Sequence, residues 1–237
     1  MATVLVTGAN RGIGLELARQ YAADGWSVIA TARDPEKAAE LHEIAVHHGK
    51  HLEVMSLDVR SEDSAEELGK RLHGRSVDIL LHNAATYPRQ GMRVGELDYD
   101  AWGDTLETNL FGAMRVTEAL LENVANSERQ QIAAISSGMA SLRAASGESV
   151  AQAGTSYQYR TSKAALNMAM VILSKELAPR GISVAIISPG WVQTDMGGAG
   201  AALTPEVSVR GIRKVLRNTP MEISGKFLSY DGTTISW

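Results

Sequence analysis

Tyr159 and Lys163 stand four residues apart in the run Tyr159-Arg160-Thr161-Ser162-Lys163. That spacing puts a phenol and an ammonium on one helix face or at its N-terminal entry. A free phenol, with a pKa near ~10, is a poor proton donor or base at neutral pH. A cation beside it favours the phenolate and lowers that value. A phenol tuned in this way can protonate a forming alkoxide and run the reverse step. Tyr-x-x-x-Lys is common by chance, and alone it describes an exposed tyrosine next to a surface lysine. Ser136-Ser137 closes the run Gln131–Ser136, and a serine hydroxyl there can bond a carbonyl oxygen as charge builds on it. Asn109 falls in a long helical stretch, where an amide is a mediocre helix former. It reads either as a harmless polar residue or as the holder of a water near Lys163.

A second group of residues could hold phosphate. A short apolar run leads into Thr7-Gly8-Ala9-Asn10-Arg11-Gly12-Ile13-Gly14, after which helical spacing begins. Free N–H groups at a helix N-terminus and the positive end of its dipole attract phosphate. Glycine lets a pyrophosphate approach closely. The spacing is G-x-x-x-G-x-G, not G-x-G-x-x-G, and a glycine-rich turn alone can bind nothing. Its place directly after the first strand points to a dinucleotide. At the close of the second strand a carboxylate suits NAD(H), and positive charge suits the extra phosphate of NADP(H). The chain has Ala32-Arg33 there, and the guanidinium offers a planar fork to phosphate oxygens. Arg11 adds a second positive charge. Together they predict a preference for NADP(H), while Asp34 beside Arg33 leaves NAD(H) open. Asp58-Val59 follows the third strand; the acid reads equally as a partner for an adenine amino group or as an ordinary helix-leading residue. His82-Asn83-Ala84-Ala85 follows the fourth, where small residues suit either a flat cofactor or a tight strand exit.

The elements that must position these groups alternate along the chain. Thr3–Thr7, Trp26–Thr31, His51–Ser56, Val77–Leu81, Gln131–Ser136, Ile182–Ile187 and Lys226–Tyr230 read as strands, several of them apolar on both faces. Helical spacing covers Ile13–Ala23, Pro35–His48, Ser61–Leu72, about Trp102–Asn126, Thr161–Ala178 and Thr204–Arg217. Pro35 suits a first turn, Ser61 suits an N-cap, and Pro179-Arg180-Gly181 stops a helix. Strands separated by helices predict parallel pairing through right-handed crossovers. The expected fold is α/β: a single-domain, Rossmann-like, doubly wound parallel sheet over residues 1–237, with helices on both faces.

Composition narrows the partners. A length of 237 residues suits one sizeable core. A net charge of −4 gives no global pull toward nucleic acid or an anionic membrane. The absence of cysteine excludes disulfides, thiolate catalysis and thiolate metal sites. The opening residues run into a glycine turn and not a leader's cleavage site. No apolar stretch approaches the ~20 residues of a membrane span, so the expected location is the cytoplasm. His42, His47, His48 and His51 cluster across a helix end and a turn without a carboxylate pattern, so no metal is expected. Met168 and Met170 are expected in a helix interface. Trp237 reads as a subunit anchor or a sheet-edge cover.

The motifs TGANRGIG, HNAA, Asn109, ISS, YRTSK and SPGWVQTDM occur in an order that resembles the short-chain dehydrogenase/reductase family across nearly the whole chain. The resemblance implies an oxidoreductase that moves a hydride between NADP(H) and a carbonyl or alcohol substrate. It implies that Gly8, Gly12 and Gly14 cradle the pyrophosphate and that Asp58 and Asn83 line the adenosine side. Asn10, Arg11, Ile13, Arg33, Val59, Ala84 and Val192 complete the implied cofactor site, and Pro189, Gly190 and Thr194 border the nicotinamide. Tyr159 would be the general acid/base. Lys163 would bind the nicotinamide ribose and lower the tyrosine pKa, Ser137 would orient the carbonyl, and Asn109 would complete a proton relay. The run YRTSKAALN, the short segment after Met196 and the ending YDGTTISW resemble the C-factor/sniffer-like carbonyl reductase branch. The family pattern also implies a homo-oligomer, dimer or tetramer, through Trp102–Asn126 and Thr161–Ala178. A nucleotide-binding regulatory protein that keeps the fold is the rival reading; the intact set Tyr159, Lys163, Ser137 and Asn109 argues against it.

Two departures from the family pattern stand out. The usual glycine after the serine pair is Ala140, and the stretch between Ser137 and Tyr159 is longer than usual. The extra residues, Ser141–Ser156, are expected to loop over or beside the active site. The serine pair leaves a one-residue ambiguity, which the family pattern resolves toward Ser137 over Ser136.

Overall fold

A computed structural model describes residues 1–88, 93–147, 156–217 and 220–237. In chain order the elements are β1 (Thr3–Val6), α1 (Gly12–Ala23), β2 (Ser27–Ala32), α2 (Ala39–His48), β3 (Leu52–Ser56), α3 (Glu62–Arg71), β4 (Ile79–His82) and α4 (Tyr99–Leu106). A π turn (Glu107–Phe111) leads into α5 (Gly112–Ala125), followed by β5 (Gln131–Ile135), α6 (Leu142–Ala145) and α7 (Tyr157–Leu177). The chain closes with β6 (Ser183–Ser188), α8 (Pro205–Arg217), α9 (Pro220–Ile223) and β7 (Phe227–Ser229).

The seven strands form one sheet in the order β3-β2-β1-β4-β5-β6-β7, with every neighbouring pair parallel. Because side chains alternate along a strand, β1 sends Val4 and Val6 into one layer with Leu17, Leu41 and Ile212. It sends Leu5 into the other with Leu68, Leu120 and Met170. Helices α1, α2 and α8 cover the first face, and α3, α5 and α7 the second. The strand order reverses at β1, which pairs with both β2 and β4. The crevice at such a reversal, beyond the carboxyl ends of the strands, is where this architecture takes ligands.

Three elements differ from the sequence expectation in ways that matter for the site. The stretch from Pro35 is not one helix: a 3-10 turn spans Pro35–Lys37, and Ala38 leaves helical geometry (φ −91, ψ 57) before α2 begins. That bend puts the Ala38 methyl into the core. Helix α7 starts at Tyr157, not Thr161, so Tyr159 lies within its first turn. The long helical stretch is interrupted at Asn109 by the π turn. Ser61 does cap α3, accepting the Ser64 amide at 3.2 Å.

The residues set aside for other roles are placed as follows. His42 and His47 bond the backbone carbonyls of Pro35 and Glu43. Met170 is buried, whereas Met168 is 62% exposed, so only the first packs in an internal interface. Trp237 stacks on Phe227 with ring centres 5.4 Å apart. The tail bridges Thr234 to Leu228, so it covers the edge of β7. No helix among the described residues is long and apolar enough to cross a membrane.

Candidate active site

The carboxyl ends of β1, β2, β4, β5 and β6 open into a cleft of about 1230 Å³. Its floor is tied together by Thr7 and Asn83. The Thr7 hydroxyl accepts the amides of Asn83 and Ala84, both at 3.0 Å. The Asn83 side-chain amide donates to the carbonyls of Thr7 and Gly8, both at 3.0 Å. This pairing draws the β4 exit against the glycine turn and explains two of its glycines. A Cβ on Gly8, whose φ is +64, would lie 2.9 Å from Ala84 Cα. A Cβ on Gly14 would lie 2.3 Å from the Gly8 carbonyl oxygen and 2.5 Å from Asn83 Nδ2.

Helix α1 starts behind that turn without a side-chain cap and without an acid in its first turn. Its unpaired amides and dipole therefore favour an anion from the cleft. Gly8, Asn10, Arg11, Gly12, Ile13, Arg33, Asp58, Val59, Asn83, Ala84, Pro189, Gly190, Val192 and Thr194 all line the cleft. Gly14 does not; it sits behind the turn and allows its close packing. Asp34, the acid that left NAD(H) open, is directed to Lys37 at 2.6 Å and not to Arg33. Arg11 reaches across the cleft to Asp195 at 2.9 Å. Partial burial opposes ionisation of Asp58. The Arg60 amide and guanidinium, with Arg33 beyond, nonetheless hold its carboxyl below the usual range.

At the other end Ser137, Tyr159 and Lys163 line the cleft together. The Ser137 hydroxyl accepts the Met139 amide at 3.2 Å and lies close enough to the Tyr159 phenol to favour its ionised form. The Ser136 hydroxyl instead donates to Asn167 at 2.5 Å. Buried Lys163 donates from Nζ to the Ile135 carbonyl at 2.8 Å and stands 5.9 Å from the Tyr159 ring centre. Burial pushes the Tyr159 phenol up to about 12, against the pull of Ser137. Burial also lowers the Lys163 ammonium to about 8. The phenol thus moves opposite to the direction that the Tyr-Lys spacing suggested, because desolvation of both groups outweighs their proximity.

Asn109 does not line the cleft. Its side-chain oxygen accepts the Thr86 amide at 2.8 Å, and its amide donates to the Thr86 carbonyl at 3.0 Å and to Ser162 Oγ at 2.9 Å. The side chain expected to hold a water is committed to protein groups, and it fixes the β4 exit to α7. The π turn around it widens the helix by one residue, a distortion common at functional sites.

The short chain dehydrogenase family model matches residues 2–202. The chain belongs to the short-chain dehydrogenase/reductase family. C-signal of Myxococcus xanthus is 39% identical to it over 163 residues, 68% of this chain and 93% of that protein. The carbonyl reductase Sniffer of D. melanogaster shares its fold with a TM-score of 0.90 at 30% identity, over 100% of both chains. The NADPH-bound carbonyl reductase from chicken fatty liver has a TM-score of 0.91 at 32% identity, over 100% of this chain and 99% of that one. This short-chain dehydrogenase/reductase therefore groups with the carbonyl-reductase-like branch.

Several residues of this family member's cleft carried no role in the sequence. Tyr87 stands edge-on to Tyr159 with ring centres 4.7 Å apart, and its hydroxyl accepts from Ser156 Oγ at 2.9 Å. Met139, Arg160 and Trp191 also line the cleft. Tyr87 follows HNAAT directly, so its place after β4 was the available signal. The stretch Ser141–Ser156 leaves along the C-terminal tail, with the Ser141 hydroxyl donating to the Ser236 carbonyl at 2.6 Å. It returns at Ser156 beside Tyr87. Its middle, 148–155, lies outside the described residues.

Proposed function

We propose that the chain reduces carbonyl compounds with NADPH, with Tyr159 as proton donor. The observation that carries this is that Ser137, Tyr159 and Lys163 together line the wall of the cleft that the glycine turn opens into. The turn at Gly8–Gly14, Arg11, Arg33, Asp58, Val59, Ala84 and the Pro189–Thr194 segment would hold the dinucleotide. The uncapped, acid-free start of α1 fits its pyrophosphate. When bound, the reduced nicotinamide supplies a hydride to the carbonyl carbon.

Ser137 orients the carbonyl oxygen by hydrogen bonding. Tyr159 gives that oxygen a proton, and an alcohol results. A phenol held near 12 is protonated throughout the neutral range, which suits the reducing direction. Lys163 keeps positive charge near the phenolate that remains and, held by the Ile135 carbonyl, orients the nicotinamide ribose. Asn109, bonded to Thr86 and Ser162, fixes the π turn against α7, and in this reading it would complete the proton relay on the Lys163 side. Arg11 and Arg33 favour NADP(H) over NAD(H).

Phe111, Met168 and Ile172 are 47%, 62% and 58% exposed on the outer faces of the π turn and α7. They support a homo-oligomer through these helices, and the mass in solution tests it. Titration with NADPH and with NADH, followed by nicotinamide fluorescence and then aldehyde turnover, tests the reading as a whole. Tighter NADPH binding and NADPH consumption are expected. Failure of both cofactors to bind would overturn it.

A further inference from the structure

Arg160 directly follows Tyr159 and lines the same end of the cleft. Among the other cations of the cleft wall, Arg11 already faces Asp195, Lys37 faces Asp34 and Arg60 faces Asp58, and Lys163 is held by the Ile135 carbonyl. Among the described residues Arg33 and Arg160 form no ion pair. The hydrogen bond that Arg160 makes is long, from Nη1 to the Met139 carbonyl at 3.4 Å. Its Nε is buried without a partner. A guanidinium carries five N–H donors in a planar fork, and a half-buried one with no ion pair is satisfied best by a carboxylate or a similar anion.

The cofactor is a poor candidate for that anion. Arg33 follows β2 and Met139 follows β5, three strand spacings away in the sheet, or roughly 14 Å. The two free arginines therefore address different groups. Met139 lies two residues beyond Ser137 inside the 3-10 turn Gly138–Ala140, so the backbone that holds the Arg160 fork stands roughly 5–6 Å, about one benzene ring, from the carbonyl-orienting serine. Tyr87, edge-on to Tyr159, adds aromatic wall to this end.

We propose that Arg160 is an anion subsite that selects carbonyl substrates bearing a carboxylate about one benzene ring away from the reacting carbonyl. The proposal rests on the carbonyl-reduction reading and names the substrate class of that site.

The test compares 4-carboxybenzaldehyde with methyl 4-formylbenzoate, using NADPH and the wild-type, Arg160→Met and Arg160→Lys proteins. The ester is intrinsically the more electrophilic aldehyde, so the readout is the change between proteins in the kcat/KM ratio of acid to ester. The ratio should fall about tenfold in Arg160→Met, mainly through KM, as expected for one charge-assisted bond. It should recover in part in Arg160→Lys, which keeps the charge but loses the fork. A ratio that is the same in all three proteins would overturn the subsite and leave the reductase reading standing. If the wild type reduces neither aldehyde, the reductase reading fails on its own. Calorimetry then decides the subsite: benzoate binding above that of benzamide in the wild type, lost in Arg160→Met, supports it, and equal binding in both proteins overturns it.

Discussion

The Lys163 ammonium donates to the Ile135 carbonyl oxygen at 2.8 Å, tying the second turn of α7 to the last residue of β5. That bond holds the cation where β5 delivers Ser137 and α7 delivers Tyr159, and burial brings its pKa to about 8. Lys163→Met should therefore weaken cofactor binding and lower turnover together. In the wild type, the cofactor-free protein should show a titration near pH 8 that Lys163→Met abolishes. A difference titration by NMR of the labelled lysine checks this. A lysine titrating near its ordinary value would show that the side chain is not held as described.

Tyr159→Phe should lower turnover by about 10²–10⁴-fold, the usual worth of a positioned general acid. It should leave NADPH affinity nearly unchanged, since only the phenol hydroxyl is removed and the ring stays packed edge-on to Tyr87. Single-turnover kinetics beside a fluorescence titration separates the two. Intact turnover in the variant would remove Tyr159 from the role of proton donor and favour a nucleotide-binding regulator.

Arg33→Ala should weaken NADPH binding about tenfold and leave NADH binding almost untouched, because only NADPH offers the extra phosphate. Asp34 does not compensate Arg33, since it is directed to Lys37. Equal losses for the two cofactors would place the phosphate elsewhere.

Gly14→Ala should destabilise the fold as well as the cofactor site. Its Cβ would press on the Gly8 carbonyl and the Asn83 amide, and neither is the free end of a flexible chain. A loss of about 1–3 kcal/mol is expected for overpacking of this kind. Urea denaturation measures it, and unchanged stability would mean that the turn relaxes freely.

His82 supplies a pH dependence. It is buried at the end of β4 and bonded to Thr117 Oγ1 at 2.8 Å, and burial lowers its pKa to about 4. The unfolded chain protonates His82 near the ordinary histidine value of 6.5, while the folded chain keeps it neutral down to about 4. Between these values the unfolded state binds the extra proton, so stability falls as pH falls. The loss should approach about 3 kcal/mol by pH 4. His82→Gln should flatten this part of the stability curve, as followed by urea denaturation from pH 7.5 to 4.5.

The parts legible in the sequence were those whose physical cause is local. Thr3–Thr7 followed by Gly8-Ala9-Asn10-Arg11-Gly12 reads as a strand, turn and helix start because strand and helix periodicity and glycine conformation act over a few residues. The alternation of such units left a doubly wound parallel sheet as the expected outcome, and Tyr159 and Lys163 could be paired because one helix carries both. The breaks at Ala38 and Asn109 were not legible, since each is imposed by groups from elsewhere in the chain: the core around Ala38, and Thr86 and Ser162 around Asn109.

What the sequence by itself determined was which chemical groups stand at which strand ends. Only the tertiary structure decided their state. It turned Ser136 to Asn167 and set Ser137 beside Tyr159, directed Asp34 to Lys37, and left Arg33 and Arg160 without carboxylates among the described residues. It also moved the Tyr159 phenol up to about 12 by burial, where the spacing to Lys163 in the sequence suggested the opposite direction. The reason is physical: pairing and desolvation depend on what surrounds a group in space, and those neighbours come from segments far apart in the chain.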